Sequence, residues 1–186
     1  MYDFVDQKRV VSFTLAVIFF ILAIFGPAAL LLPFKNGFIT REAQAIGTSG
    51  WSLITGGVGL LAVSGIFMVF ATVEKTSRKV ILTLVLLLVA VLGIVLSSKD
   101  YYYYTPERFV ISPPFSLTSH TYEWDDFEQV DENLTKEGGT LTVKSVDFLM
   151  KDGTRYSFDR GVMIQRYQPI IFAVQNAGGK YVRKES

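Results

Sequence analysis

Residues 10–32 read VVSFTLAVIFFILAIFGPAALLL, a run without one charged side chain. As an α-helix this run would be about 35 Å long, which exceeds the roughly 30 Å hydrocarbon core of a bilayer. We therefore predict a membrane-spanning helix over residues 10–32, preceded by a short polar segment, residues 1–9. The alternative is a secretory signal peptide, because Lys8 and Arg9 precede the run. Its length and the lack of a small-x-small cleavage site favour a retained helix.

Two further apolar runs follow, at residues 51–73 and 80–98, and neither contains a charged residue. Residues 10–98 are thus predicted to form a three-helix transmembrane domain with a polar loop at residues 74–79. Trp51 is typical of an aromatic anchor at the membrane interface. Transporters usually keep an ionisable residue inside a span, so charge-free spans disfavour that class. An ionisable residue buried in a polar cavity between the helices would reverse this and favour a transporter or an enzyme.

Small residues recur at helical spacing in the second span. Ser52 and Gly56, and likewise Thr55 and Gly59, are four positions apart and share a helix face. Such faces let two helices approach closely in a bilayer. We favour packing among the chain's own three helices over a dimer motif for these residues. In the first loop, residues 41–45 are expected to form a short interfacial turn.

The periodicity of the chain changes after residue 100, and residues 101–180 are predicted to form a β-rich domain. Residues 101–104 and 108–112 are aromatic and β-branched, which predicts two strands joined by a turn. The four tyrosines at 101–104 are also interpreted as an interfacial aromatic belt that continues into the first strand. A third strand is predicted over residues 117–124, with His120, Tyr122 and Trp124 on one side.

The remainder of the domain is predicted to be a loop, a hairpin and a helix. Residues 133–140 read as a loop, and Asp152-Gly153 is a strong hairpin turn signal. A helix is expected to start near Pro169 and to end at Gly178-Gly179. Residues 181–186 are expected to form a polar tail.

Three segments of this region carry a family pattern: Tyr104-Thr105 with Phe109-Val110-Ile111, then Tyr122-x-Trp124-x-Asp126-Phe127-x-x-Val130, then Lys151-Asp152-Gly153. Together they resemble the bacterial pleckstrin-homology-like (PH-like) domains, over roughly residues 101–180. The resemblance implies a strongly bent antiparallel sheet with one end plugged by the C-terminal helix. Such domains are often fused to a few membrane helices in bacterial proteins of unknown function. This chain is short for the family, which implies a sheet lacking one or two of the full seven strands.

Composition disfavours several chemistries. The chain has no Cys and a single His, His120, so we predict no catalytic residue, no metal site and no cofactor. The formal net charge of +1 gives no reason to expect nucleic acid as a partner. A headgroup site would need clustered basic residues, and the loop between the first two strands offers only Arg108. We therefore predict no specific phosphoinositide site.

Six acidic residues lie within residues 123–132. They are interpreted either as a cation site, as a patch for a basic partner, or as a solvated strand edge that discourages aggregation. The solvated edge is favoured. In a strand, Asp125 and Asp126 would point to opposite faces and make a poor catalytic pair. The candidate partner-binding residues are Tyr122, Trp124, Asp125, Asp126 and Glu128.

The leading hypothesis is a non-enzymatic integral membrane protein of a bacterial cell. Its PH-like domain would serve as a binding or assembly module at the membrane surface, with the lipid bilayer and another protein or a second copy as partners. One alternative is a membrane-anchored immunity or envelope-stress protein that intercepts a toxic peptide. A transporter or an enzyme is disfavoured. Basic residues at 75, 78 and 79 favour a cytoplasmic N-terminus and an extracytoplasmic C-terminal domain in the cell membrane.

Overall fold

A computed structural model of the chain describes residues 6–27, 33, 35, 37, 39, 42–137 and 140–185. These residues form two compact units. The helical unit holds the described residues up to Ile39, together with Ser49–Asp100 and Pro114–Leu117. The β unit holds residues 42–48, Tyr101–Pro113 and the described residues from Thr118 onward. A piece of the first loop therefore belongs with the C-terminal strands.

Three long helices make up the helical unit: α1 Gln7–Gly26, α2 Gly50–Thr72 and α3 Thr76–Lys99. All three are long and apolar enough to cross a membrane, as their sequences predict. Side-chain caps satisfy backbone N–H groups at two of the N-termini. The Asp6 carboxylate accepts from the N–H of Lys8, and the Ser49 hydroxyl accepts from the N–H of Trp51.

Two helix boundaries differ from the predicted spans. The described part of α1 ends at Gly26 before Pro27, and residues 28–32, the rest of the predicted first span, lie outside the described residues. The predicted polar loop at residues 74–79 is wrong in extent, because α3 already begins at Thr76. Neither Gly nor Pro occurs between Thr76 and Lys79, so nothing in that segment interrupts a helix.

The β unit contains two four-stranded sheets. The first consists of β1 Ala45–Gly47, β2 Tyr101–Tyr104, β3 Arg108–Ser112 and β4 His120–Glu123, in that order and antiparallel. The second consists of β5 Phe127–Glu137, β6 Thr140–Met150, β7 Arg155–Phe158 and β8 Lys180–Glu185. Its order is β7-β6-β5-β8, and β8 runs parallel to β5 while the other pairs are antiparallel.

Aromatic side chains from both sheets meet in one core. The ring of Phe109 lies edge-on to the rings of Phe127 and Phe148, with centroids 6.0 and 5.6 Å apart. The short helix α4 (Val162–Arg166) and the C-terminal helix α5 (Gln168–Asn176) cover this core. Their buried side chains are Met163, Ile170, Ile171 and Val174. The predicted C-terminal helix is confirmed, and the fold is α plus β.

The turns that rest on glycine lie where they were predicted. Gly153, at the tip of the β6–β7 hairpin, has φ of +84°, and Gly178, just after α5, has φ of +90°. Backbone with positive φ is open to glycine at little cost, which is why the sequence signal for both sites is strong.

Of the turn predicted at residues 41–45, Glu42 lies in a turn and Gln44 in a bend, whereas Ala45 already begins strand β1. This strand pairs with β2, so that Gly47 lies opposite Tyr102. A Cβ on Gly47 would lie 2.2 Å from the Cζ of Tyr102, so only glycine leaves room for that ring. The sequence did not predict strand β1, because three residues are too few to show an alternating pattern.

Three further predictions in the β unit are wrong. The loop predicted at residues 133–140 belongs to β5 and β6 on either side of residues 138–139. The tail at residues 181–186 contains most of β8. Both segments are mostly polar: Leu134 is the one large apolar residue in the first, and Tyr181 and Val182 are adjacent in the second, so neither shows the alternation that predicts a strand. The strand predicted over 117–124 begins only at His120, and Trp124 belongs to a 3₁₀ turn, Trp124–Asp126.

Candidate functional site

A short 3₁₀ turn shapes the region predicted to bind a partner. The carboxylate of Asp126 accepts from the backbone N–H of Glu123 at 2.9 Å, and the Glu123 side chain accepts from the Asp126 backbone in return. This reciprocal capping closes the turn between β4 and β5. Asp125 and Asp126 therefore do not lie in a strand, and the prediction that they point to opposite faces of a sheet is wrong.

The two aromatic residues in the predicted patch hold the turn in place. The Tyr122 ring is buried, and its hydroxyl lies 3.1 Å from the hydroxyl of Tyr156, whose pKa is raised by burial. Trp124 packs on Phe127 and donates from Nε1 to the backbone oxygen of Pro106 at 2.6 Å. Both side chains thus act as anchors for the turn.

Four acidic side chains at this turn are exposed: Glu123, Asp125, Asp126 and Glu128. We call these four residues the acidic corner. Glu128 sits at a register shift between Phe127 and Gln129, where β5 carries an extra residue relative to β6. Bulges of this kind re-aim a side chain away from the regular ladder. The acidic corner is therefore presented on anchored backbone.

The other two residues of the acidic run lie elsewhere. Asp131 and Glu132 are buried in β5, an inner strand between β6 and β8. The predicted solvated edge is therefore wrong for them. Adjacent strand residues point to opposite faces, so each carboxylate has its own environment.

Asp131 is bound by side chains from three other positions in the sheet. It accepts from Lys184 Nζ at 2.6 Å, from Arg155 at 3.1 Å and from Gln129. Burial alone would raise the pKa of Asp131, but the hydrogen bonds from Lys184 and Gln129 outweigh it and hold that pKa below its usual value. Arg155 also bonds Asp147 at 3.1 Å. This network ties the outer strands β7 and β8 to the middle of the sheet.

Glu132 lies on the opposite face of β5. Its two carboxylate oxygens accept from the hydroxyls of Tyr167 and Tyr181, and the Nε of Arg183 lies 3.5 Å away. Burial, helped by the bond to Glu132, raises the pKa of Tyr181 to about 12. The buried acid therefore links β5 to β8 and to the residue preceding α5.

A second polar cluster lies in the helical unit. Lys35 is only 4% exposed, and its Nζ donates to Ser52 Oγ and to the backbone oxygen of Asp100, each at 2.6 Å. Ser97 Oγ in turn donates to the backbone oxygen of Ser52 at 2.6 Å. Burial lowers the pKa of Lys35 to about 8, although the nearby charge of Asp100 opposes that shift. Sequence reasoning missed this site because it placed Lys35 in a loop between spans, where no buried partner was expected.

A lysine beside a serine is also a pairing that catalysis uses, with the neutral amine as base. Here Lys35 donates to Ser52, and the Ser52 hydroxyl donates to the backbone oxygen of Ser97 at 2.9 Å. Ser52 and Ser97 are both fully buried. The Asp100 carboxylate accepts from the N–H and the hydroxyl of Ser49. Lys35 is thus a buried ionisable residue of the kind that would favour an enzyme or a transporter, but its bonds to Ser52 and to the backbone of Asp100 tie it to the beginning of α2 and the end of α3.

The small residues of α2 lie at helix contacts. Ser52, Gly56 and Gly59 are buried. A Cβ added to Gly93 of α3 would lie 2.7 Å from the backbone oxygen of Thr55 and 2.8 Å from the backbone N of Gly59. The two helix backbones therefore touch along the predicted small-residue face.

His120 is exposed on β4 with its ring stacked on Tyr122, and among the described residues no three His, Asp or Glu side chains are grouped to hold a metal ion. Comparison with protein-family models, curated proteins and solved structures finds no match to this chain.

Proposed function

We propose that this chain is a multi-pass membrane protein whose β unit acts as a binding or assembly module at the membrane surface. The observation that supports this membrane topology is the pairing of strand β1 with strand β2. Strand β1 precedes α2 and strand β2 follows α3, so both strands must lie on one side of a bilayer. Helices α2 and α3 then cross as a hairpin, and α1 crosses as the third span.

The surfaces of the three helices support insertion. Large apolar side chains are exposed along each of them, among them Phe25 in α1, Ile54 in α2 and Leu84 in α3. Exposed apolar surface of this extent is rare on soluble monomers and is normal where lipid covers it. The basic residues near the α2–α3 turn favour a cytoplasmic N-terminus and an extracytoplasmic β unit.

Membership of the PH-like family is part of the proposal. Two sheets around one core with a C-terminal helix are compatible with that family. Strand β1, contributed by the first loop, and strand β8, which follows α5, are departures from the expected pattern. We expect no phosphoinositide selectivity and no nucleic-acid binding.

The acidic corner is the surface that we propose for partner binding. Its carboxylates are exposed on anchored backbone, whereas Asp131 and Glu132 are bound by cations and hydroxyls of the chain itself. The corner therefore fits a basic segment of another protein or of a second copy. Electrostatic complementarity of this kind speeds association and weakens as salt screens it.

A charge-reversal pair tests this surface. Asp125→Lys with Glu128→Lys changes the corner and spares Asp126, which caps the turn. The matched control is Asp159→Lys with Glu185→Lys, two exposed acids elsewhere on the β unit. After cross-linking in native membranes and extraction in mild detergent, the corner variant is expected to lose the recovered partner while the control retains it. Equal recovery by both variants would contradict the proposal.

The acidic corner also favours a second candidate function. An immunity or envelope-stress protein that intercepts a cationic toxic peptide would use the same exposed carboxylates. In that case deleting the gene would raise sensitivity to such peptides, and the wild-type chain but not the corner variant would restore resistance. Unchanged sensitivity after deletion would argue against this function.

A further inference from the structure

The segment Pro114–Leu117 has three features that its place in a loop does not explain. Although it lies between β3 and β4 in sequence, it belongs to the helical unit. Both of its large apolar side chains, Phe115 and Leu117, are mostly exposed. Phe115 also has φ of +62°, a backbone region that bulky residues seldom adopt.

One contact explains where the segment is held. The ring of Phe115 lies edge-on to the indole of Trp51, with centroids 5.5 Å apart. Trp51 lies in the first turn of α2, and it is itself half exposed. The apolar surface continues from these two rings along α2 through Ile54 and Val58.

The composition of the segment identifies what covers it. Residues 113–119 read PPFSLTS and contain no charged side chain. Entry into a lipid interface would therefore need no charge to be desolvated, and aromatic rings are favoured at that depth. A protein partner would have to cover a surface continuous with helix faces that lipid already covers.

We propose that Pro114–Leu117 is a membrane-inserting loop. Phe115 and Leu117 enter the boundary between headgroups and acyl chains, in the leaflet that α2 enters at Trp51. This inference rests on the proposed membrane insertion of the three helices and adds a fourth contact with lipid.

The absence of cysteine from the chain makes single-site spin labelling direct. The full-length protein is reconstituted in phosphatidylcholine–phosphatidylglycerol vesicles with one label, introduced by Phe115→Cys, Phe172→Cys or Leu84→Cys. Phe172 is the matched control, since it is 64% exposed on α5 of the β unit and Phe115 is 58% exposed. Leu84 in α3 is 60% exposed and reports on the span itself.

The readout is the ratio of collisions with oxygen, which partitions into lipid, to collisions with a water-soluble nickel chelate. We expect the ratio at position 115 to be several-fold higher than the ratio at position 172. It should be lower than the ratio at position 84. A label introduced by Leu117→Cys should give the same collision ratio as the label at position 115. This variant keeps the contact between the rings of Phe115 and Trp51, which Phe115→Cys removes. A ratio at 115 and 117 equal to that at 172, with a high ratio at 84, would overturn the inference alone. Equal ratios at 84 and 172 would overturn the proposed membrane insertion and the inference with it.

Discussion

Substitution of Gly93 by Ala tests the contact between α2 and α3 most sharply. The added Cβ would lie 2.7 Å from the backbone oxygen of Thr55 and 2.9 Å from the Cα of Gly59. Both neighbours are backbone atoms, which no rotamer change can move. The two helices would have to separate by roughly 0.6–0.8 Å, since close contacts between such atoms need about 3.5 Å.

The expected magnitude follows from two opposing terms. Overpacking a tight contact costs about 1–3 kcal/mol. Alanine in a helix interior recovers up to about 1 kcal/mol relative to glycine. We therefore expect Gly93→Ala to lower the free energy of unfolding by about 1–2 kcal/mol, and Gly93→Val to lower it further.

Unfolding by sodium dodecyl sulfate in mixed micelles, followed by circular dichroism, measures this change. Gly50→Ala is the matched control, because a Cβ at Gly50 in the first turn of α2 would meet no atom within 4 Å. Its stability should stay equal to or rise above that of the wild type. If Gly93→Ala and Gly50→Ala were equally stable, the close backbone contact between α2 and α3 would be refuted.

Three further predictions concern buried polar groups. The pKa of Lys35 falls from 10.5 to about 8 on folding, so the unfolded chain binds more protons between these values. Stability should therefore rise by roughly 3 kcal/mol from pH 8 to pH 10.5, and Lys35→Met should flatten that rise in denaturant titrations. The lowered pKa of Asp131 gives stability that is present above 3.8 and lost as pH falls through the folded value. Asp131→Asn should remove that acid-sensitive part and cost about 1–3 kcal/mol at pH 7 in thermal unfolding. Glu132→Gln should bring the pKa of Tyr181 down from about 12 towards 10, measured by ultraviolet titration of tyrosine. If Lys35→Met or Asp131→Asn left the pH dependence of stability unchanged, the pKa shift assigned to that residue would be refuted. If Glu132→Gln left the tyrosine titration unchanged, the effect of Glu132 on Tyr181 would be refuted.

The features that the sequence predicted correctly are those encoded locally. The three long apolar helices follow from charge-free runs of helical length, and the C-terminal helix follows from Pro169 and its flanking apolar period. The β6–β7 hairpin follows from Gly153, whose positive φ needs glycine. Each of these signals lies within a few residues of the structure it determines.

The features that the sequence missed depend on distant partners. Asp131 is buried because Lys184, 53 positions away, binds it, and Glu132 is buried because Tyr167, 35 positions away, does. Lys35 likewise depends on the backbone of Asp100, 65 positions away. Strands β1 and β8 were missed for a related reason, since their pairing with β2 and β5 decides their conformation. Patterns within a few residues therefore placed Lys35 in a loop, and Asp131 and Glu132 at a strand edge. They likewise placed most of β8 in a tail.

Labelling of single cysteines with a membrane-impermeant maleimide tests the central claim most directly. The reporter positions are Glu42 and Asp152 in the β unit and Glu74 between α2 and α3, each replaced by Cys in the cysteine-free chain. Because β1 pairs with β2 across the α2–α3 hairpin, positions 42 and 152 should label from one side of the membrane and position 74 only from the other. Labelling of position 74 from the same side as 42 and 152 would contradict the three-span topology.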